Sequence, residues 1–439
     1  MRLLRLFLIL AIAIIIPFLI WGDKFEGWFT GDAAVSWLRG LGPWGWLGGI
    51  ALLMADLFLP IPGTAVMSAL GFLYGPWTGG AQVSQEPNYL LWAEQLNAAG
   101  GLNVKGSKRP VELISSDDRS EVETCVRSYE KLMGSDKVDL ILPPWGSNAN
   151  FAVAPLANRM GYPFIAPTAL SKRLIEMKLP YFFLMLQQPQ PMMNSLVELL
   201  KANGAKSVAV IYVDDLFGLE NYAALKVAVG GSGLNLVEEK SYPGGVKDLG
   251  PVLRGIKDKN PDAFVALSYP PDTILASRQS KEIGFNPKFF YASVGTAFPL
   301  YKQVMGPAAE GVLGMGSWNA KSSKMAQAYF DAHVKKFNKE PDRWASGATW
   351  ASLEILQAAV GKVGLDRKAI RDYVAGNTHD TVIGKIKFQG SENVATPGSV
   401  SQWQKGEFEV IWPKSIATGS LVAKPAWARA ERVSRVRPG

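Results

Sequence analysis

The chain has one cysteine and two histidines in 439 residues. A single cysteine forbids an intrachain disulfide and any cysteine-based metal site. Cys125 lies in the helical stretch EVETCVRSYE and reads as a small core residue. His333, in the amphipathic stretch YFDAHVKKFNK, reads as solvated, and His379, in GNTHDTV, as part of a turn. Neither neighbours a Ser or Cys motif, so a nucleophilic triad has no support. There is no G-x-x-x-x-G-K-S/T loop, which excludes a P-loop nucleotidase. The net charge is +8, without an Arg-rich run, zinc-finger spacing or RNP pattern. Excess lysine on a solvated surface is the better reading, with no nucleic-acid partner. Asp117–Asp118 and Asp214–Asp215 are adjacent acids at strand ends, the pattern of caps and turns rather than of an acid/base dyad. No enzyme, catalytic residue, metal or cofactor is expected.

Charge is also scarce over residues 1–80, where the long apolar runs collect. Leu3–Trp21, LLRLFLILAIAIIIPFLIW, has about the length that spans a ~30 Å hydrocarbon core. Arg2 and Arg5 favour an N-terminus inside the cell. A cleavable signal peptide is the rival, but no A-x-A site follows, so an uncleaved anchor is preferred. The second run, Trp44–Tyr74, is broken by Pro60 and Pro62. Each proline removes a helix hydrogen bond. A re-entrant hairpin and a kinked spanning helix both remain open, and residues 1–75 are read as a membrane anchor. The segment DLFLPIPGTAVMSALGFLYGPWTGG resembles the first re-entrant region of the DedA/SNARE-associated (VTT) membrane family, over residues 1–80 only. That family continues with further membrane segments, and nothing here after Gly80 is long and apolar enough to match them.

From Asn88 onward, strand-length apolar runs alternate with amphipathic helices. PVELISSDD, KVDLILPP, YPFIAPTA, KSVAVIYVDD, LNLVEEKSY and DAFVALSY read as strands. Such a rhythm predicts an α/β chain with two doubly wound lobes of parallel sheet. Ligands then bind at the C-terminal ends of strands, near helix N-termini. Three such corners carry candidates. LPPWGSNAN starts a helix near Ser147, where backbone N–H groups, the Ser147 hydroxyl and Asn148 suit a carboxylate, although Ser147 serving only as a helix cap is the simpler reading. FIAPTALS ends a strand at Thr168–Ala169, and VALSYPPD ends one at Tyr269.

Residues 75–428 resemble the periplasmic solute-binding proteins of ABC importers, in the leucine/isoleucine/valine-binding (type I) branch. GSNANFAVAPLANRMGYPFIAPTA, SVAVIYVDDLFGLENYAAL, VALSYPPDTILASRQSKEIGF and WASGATWASLEILQAAVGKVG follow in that family's order. The resemblance implies two lobes with ligand in the cleft between them: one of residues 76–185 and 315–390, the other of 186–314 and 391–428, before a basic tail at 429–439. It implies that Gly146 and Ser147 bind a ligand carboxylate, that Thr168 and Ala169 flank it, and that Phe217 and Tyr269 line the second wall. Amino-acid binders of the branch place an acid where Val294 stands here. Either the ligand lacks an ammonium, or Asp215 or Asp272 serves it. The resemblance also implies ABC permease subunits as partners and an extracytoplasmic location at the inner membrane. A ligand-sensing receptor ranks second, since no signalling segment follows through Gly439. A truncated DedA-like membrane protein fused to a binding module ranks third. Type I binding proteins begin with a central strand, and Ala65–Gly75 is the only candidate for it. Pairing it with Val111–Ser115 would make Gly75–Pro76 a cleft loop and bring Trp77 near the ligand.

Overall fold

Apolar runs need partners on both sides, and in this chain they find them in two sheets. The structure is a computed structural model that describes residues 78–427. The expected spanning helix, hairpin and VTT-like region, the Ala65–Gly75 strand, Trp77 and the tail at 429–439 lie outside the described residues. Among the described residues no helix is long and apolar enough to cross a membrane. The chain divides into two compact units, Met1–Gln82 and Val83–Gly439. The second unit carries both sheets, and a first short helix, α1 (Thr78–Ser84), spans the boundary in sequence. That helix lies in a stretch whose glycines suggest a turn.

Helix α2 (Glu86–Ala98), the hairpin β1 (Leu102–Val104) and β2 (Ser107–Arg109), and helix α3 (Val122–Glu130) lead to α4 (Ser147–Arg159). Then come β3 (Phe164–Ala166), α5 (Lys172–Glu176), β4 (Phe182–Leu184) and α6 (Pro189–Ala202). The middle of the chain holds β5 (Ser207–Val213), α7 (Leu216–Gly230), β6 (Asn235–Tyr242), α8 (Gly250–Asp258), β7 (Ala263–Leu267), α9 (Pro270–Glu282), β8 (Phe289–Ala292), α10 (Pro299–Met305) and β9 (Leu313–Gly314). The last part holds α11 (Lys324–Phe337), α12 (Ala345–Val363), α13 (Arg367–Gly376), β10 (Thr378–Thr381), β11 (Gly384–Gln389), β12 (Glu392–Asn393), β13 (Val400–Gln404) and β14 (Glu407–Trp412).

One sheet has the order β10-β11-β12-β4-β3 and the other β14-β13-β9-β8-β7-β5-β6, so the chain passes between them after β4, after β9 and after β12. The runs β12-β4-β3 and β9-β8-β7-β5-β6 are parallel, and their apolar stretches FIA, FFL, AFVAL and FFYA are buried at every position, as unbroken apolar runs predict. At one end of each sheet the pairing is antiparallel, β10-β11-β12 in one and β9-β13-β14 in the other, which corrects the expectation of parallel sheets. The cause is local. Gln404 pairs with Glu407 across a two-residue turn in which Lys405 and Gly406 have φ of 51° and 86°. A turn that short joins only antiparallel strands, and two positive φ values give it the twist a hairpin needs. Beneath β3 and β4, a core cluster gathers Cys125, Val153, Ala157, Phe164 and Phe182.

Two expected strands do not form. PVELISSDD (110–118) and KVDLILPP (137–144) make no ladder. Their polar backbone is satisfied by side chains instead. Asn97 both donates to the Val111 carbonyl and accepts its N–H, each at 2.8 Å. The Tyr162 hydroxyl donates to the Val138 carbonyl at 2.7 Å, and Tyr89 to that of Pro143 at 3.2 Å. Pro143 and Pro144 have no N–H to give a neighbour. The histidines also depart from expectation. His333 is buried beside Tyr329 and Phe337, with Nδ1 2.9 Å from the Lys339 carbonyl, and burial lowers its pKa. His379 is buried in β10 rather than placed in a turn.

Candidate functional site

The cleft forms where strand ends meet helix starts. β5 runs into α7, β7 into α9, and the turn after β3 faces the start of α4. Gly146 precedes α4 with φ 82° and ψ 161°, a backbone that residues with a Cβ rarely adopt. It lets the chain turn sharply enough for Ser147, Asn148 and Ala149 to start the helix. Their N–H groups have no acceptor within the helix.

A narrow space with a free volume of about 10 Å³ lies at this point. Gly146, Ser147 and Thr168 line it from the side of the first sheet, and Phe217 and Tyr269 from the second. Five sequence candidates are therefore brought together. Trp145, Leu170 and Trp344 complete the lining and were not anticipated. Trp145 was adjacent to a flagged glycine. Trp344 immediately precedes α12, and only the chain crossing after β9 carries it to the cleft.

The hydroxyls of Ser147 and Thr168 fasten the two first-sheet corners to each other. Ser147 Oγ accepts from the Leu170 N–H at 3.1 Å and donates to the Leu170 carbonyl at 3.2 Å, so it does not cap its own helix. Thr168 Oγ1 accepts from the Gly146 N–H at 3.3 Å and from Gln85 Nε2 at 3.2 Å, and donates to the Pro144 carbonyl at 3.4 Å. Asn148 is exposed and outside the lining, because a helix turns each residue about 100° from the last. Ala169 is fully buried in the core cluster, while its neighbours Thr168 and Leu170 line the space.

On the opposite wall, Phe217 and Tyr269 rings sit 5.0 Å apart at 36°. Tyr269 donates its O–H to Asp215 Oδ2 at 2.9 Å, while Asp215 Oδ1 caps α7 by accepting from the Gly218 N–H at 2.9 Å. Asp272 is buried in the first turn of α9, with the Tyr242 hydroxyl 3.5 Å away. Burial raises the pKa of both acids, that of Asp272 to about 6. Neither carboxylate reaches the lining or forms an ion pair among the described residues. Val294 is buried in the turn Val294–Ala297 and also stays out of the lining.

One further group ties the halves together. Glu220, on α7, accepts from the Ser171 hydroxyl at 2.8 Å and from the N–H groups of Lys172 and Arg173. A carboxylate from the second-sheet side thus caps α5 on the first-sheet side, where Ser171 makes no cap bond of its own. No local signal in the sequence marks Glu220, because its partners lie 47 to 49 positions away.

The periplasmic binding protein family matches residues 73–407. Leu/Ile/Val-binding protein homolog 7 of Brucella abortus (strain 2308) is 22% identical over 349 residues, covering 75% of this chain and 86% of that protein. Homolog 8 of Brucella suis biovar 1 (strain 1330) is 22% identical over 399 residues, covering 84% and 98%. Among solved structures, the branched-chain amino acid transporter substrate binding protein LivJ from Streptococcus pneumoniae in complex with isoleucine is similar with a TM-score of 0.67 at 20% identity, over 77% of this chain and 96% of that one. An ABC transporter substrate-binding protein from Desulfitobacterium hafniense in complex with Leu gives 0.63 at 18%, over 74% and 94%. At these identities the structures establish a shared fold. With the family match running from residue 73 to residue 407, the chain belongs to the periplasmic binding protein family, as a binding protein and not an enzyme.

Proposed function

We propose that this protein is the substrate-binding component of an ABC importer and captures a small carboxylate between its two sheet-centred lobes. The start of α4 carries the reading: N–H groups of residues 147–149 with no acceptor in their helix, beside a small aromatic-walled space. A helix N-terminus is a ready anion site. The free volume there, about 10 Å³, is far below the roughly 300–1,000 Å³ of drug-sized ligand sites, so a ligand would enter as the two walls part. Gly146, Ser147 and Thr168 would hold the carboxylate end, with Phe217 and Tyr269 against the remainder. The lobes would be residues 76–185 with 315–390, and 186–314 with 391–428. The apolar N-terminal run would hold the protein at the outer face of the inner membrane, within reach of permease subunits. The relatives named for leucine, isoleucine and valine support an amino-acid-sized ligand.

Thermal shift of the purified chain against amino acids, aliphatic acids, aromatic acids, sugars and simple cations tests this, since binding to the native state raises the melting point by mass action. A shift with an acid is expected. Response to a sugar alone would overturn the carboxylate assignment. Because Val294 supplies no acid, deaminated analogues should bind at least as well as their amino acids. Calorimetry on matched pairs checks this, and a preference for the amino acid above about tenfold, ~1.4 kcal/mol, would show that another residue supplies the countercharge.

A further inference from the structure

The lining of the cleft is dominated by rings. Trp145 and Trp344 meet edge to face at 6.3 Å and 79° on one side, and Phe217 and Tyr269 lie 5.0 Å apart on the other. The side-chain hydroxyls in the lining each donate to a group of the protein. Ser147 donates to the Leu170 carbonyl, Thr168 to that of Pro144, and Tyr269 to Asp215. Asp215 is itself engaged at both oxygens, by Gly218 and Tyr269. An ordinary ammonium brought into this space would carry N–H groups toward ring faces with no free carboxylate to accept them, and a buried donor left unpaired is costly. Behind the Tyr269 ring, however, Asp215 and Asp272 place two carboxylates with no salt bridge to either among the described residues, Lys247 acting on Asp272 only from beyond contact distance. The wall therefore favours positive charge while placing no carboxylate in the lining to accept an N–H.

The geometry points to a ligand that pairs a carboxylate with a quaternary ammonium, a betaine-type zwitterion. This rests on the carboxylate reading of the α4 start. The carboxylate would meet that helix start. The methylated nitrogen, with no N–H to satisfy, would sit among Trp145, Trp344, Phe217 and Tyr269, held by the ring faces and by the negative potential of the acids behind them. A neutral branched or aromatic side chain would meet the same rings but leave the Asp215 carboxylate without a cation.

Calorimetry on the full-length chain, purified in detergent, distinguishes these. The probes are trimethylglycine, its neutral carbon isostere 3,3-dimethylbutanoate, leucine and choline. Trimethylglycine should bind at least about tenfold more tightly than the isostere and than leucine. Trp145→Ala should lower its affinity by about tenfold, while Trp145→Phe, which keeps a ring face, should hold it within about threefold. Asp215→Asn, which keeps an oxygen for the α7 cap, should weaken trimethylglycine more than the isostere. If the isostere or leucine binds as tightly as trimethylglycine or more so, the quaternary-ammonium assignment is overturned and the carboxylate reading stands. If choline binds and none of the acids does, the ring cage stands and the carboxylate reading falls. If no probe binds, both are overturned.

Discussion

Asp272 shows what burial does to a single acid. Its pKa is pushed up to about 6, chiefly by desolvation, so the folded state holds a proton that the unfolded chain has already released. In the window between the ordinary aspartate value near 3.8 and about 6, the native state binds more protons than the unfolded state. Stability therefore falls as pH rises through that window and stays lower above it. Burial of the ionised group costs on the order of 3 kcal/mol at neutral pH by this linkage. Asp272→Asn should flatten the urea-midpoint profile between about pH 4 and 6 and raise the midpoint at pH 7. A midpoint at pH 7 that drops instead would mean the ionised carboxylate is stabilised by a group not yet identified. Glu354, pushed up to about 7 by burial, adds a slope of the same sign that extends to higher pH, and Asp272→Asn should leave it in place. The sequence offered Asp272, with Asp215, as a countercharge because Val294 stands where the resembling family places an acid. It did not distinguish a cleft residue from one buried behind the cleft wall, because both follow a strand by the same spacing.

Helix starts were legible where residue type dictates them. Gly146, between PPW and SNAN, announced a break and a new helix, and α4 begins at Ser147. Its φ of 82° is the reason for glycine there, since an added Cβ would meet nothing within 4 Å. Gly146→Ala should cost about 1–3 kcal/mol through backbone strain alone and weaken ligand binding with it. A urea midpoint equal to that of wild type would show that the corner relaxes to negative φ without loss. Strands were less legible. AFVAL and FFYA became central parallel strands, whereas VELIS and VDLIL, of similar length and apolarity, did not. An apolar run specifies burial, but a strand needs a neighbour in register. For 138–143 the neighbours are the hydroxyls of Tyr162, Tyr129 and Tyr89, which claim carbonyls a ladder would have used.

The whole molecule depends on how the two sheet-bearing halves meet, and Glu220 is the side chain most directly placed to report it. It caps α5 from across the chain, so the contact exists only while the halves are close. Glu220→Ala should cost about 0.5–2 kcal/mol of the closed arrangement, enough to lower ligand affinity severalfold and to enlarge the radius of gyration in small-angle scattering. Glu220→Gln keeps acceptor oxygen and should lie between. Unchanged scattering and unchanged affinity in the alanine variant would show that closure does not rest on this cap. The sequence by itself determined the alternation of helix and strand, the parallel run in each sheet and the strand-end corners of Ser147, Thr168 and Tyr269, because each follows from local periodicity or from residue type at a strand end, whereas Gly146 and Phe217 entered the site only through the family resemblance. Only the tertiary structure decided that Trp145, Leu170 and Trp344 complete the lining, that Asn148 and Ala169 do not, that Asp215 and Asp272 stand behind the wall, and that Glu220 spans the halves. These depend on contacts between segments distant in sequence, and nothing in the composition of either segment names its partner.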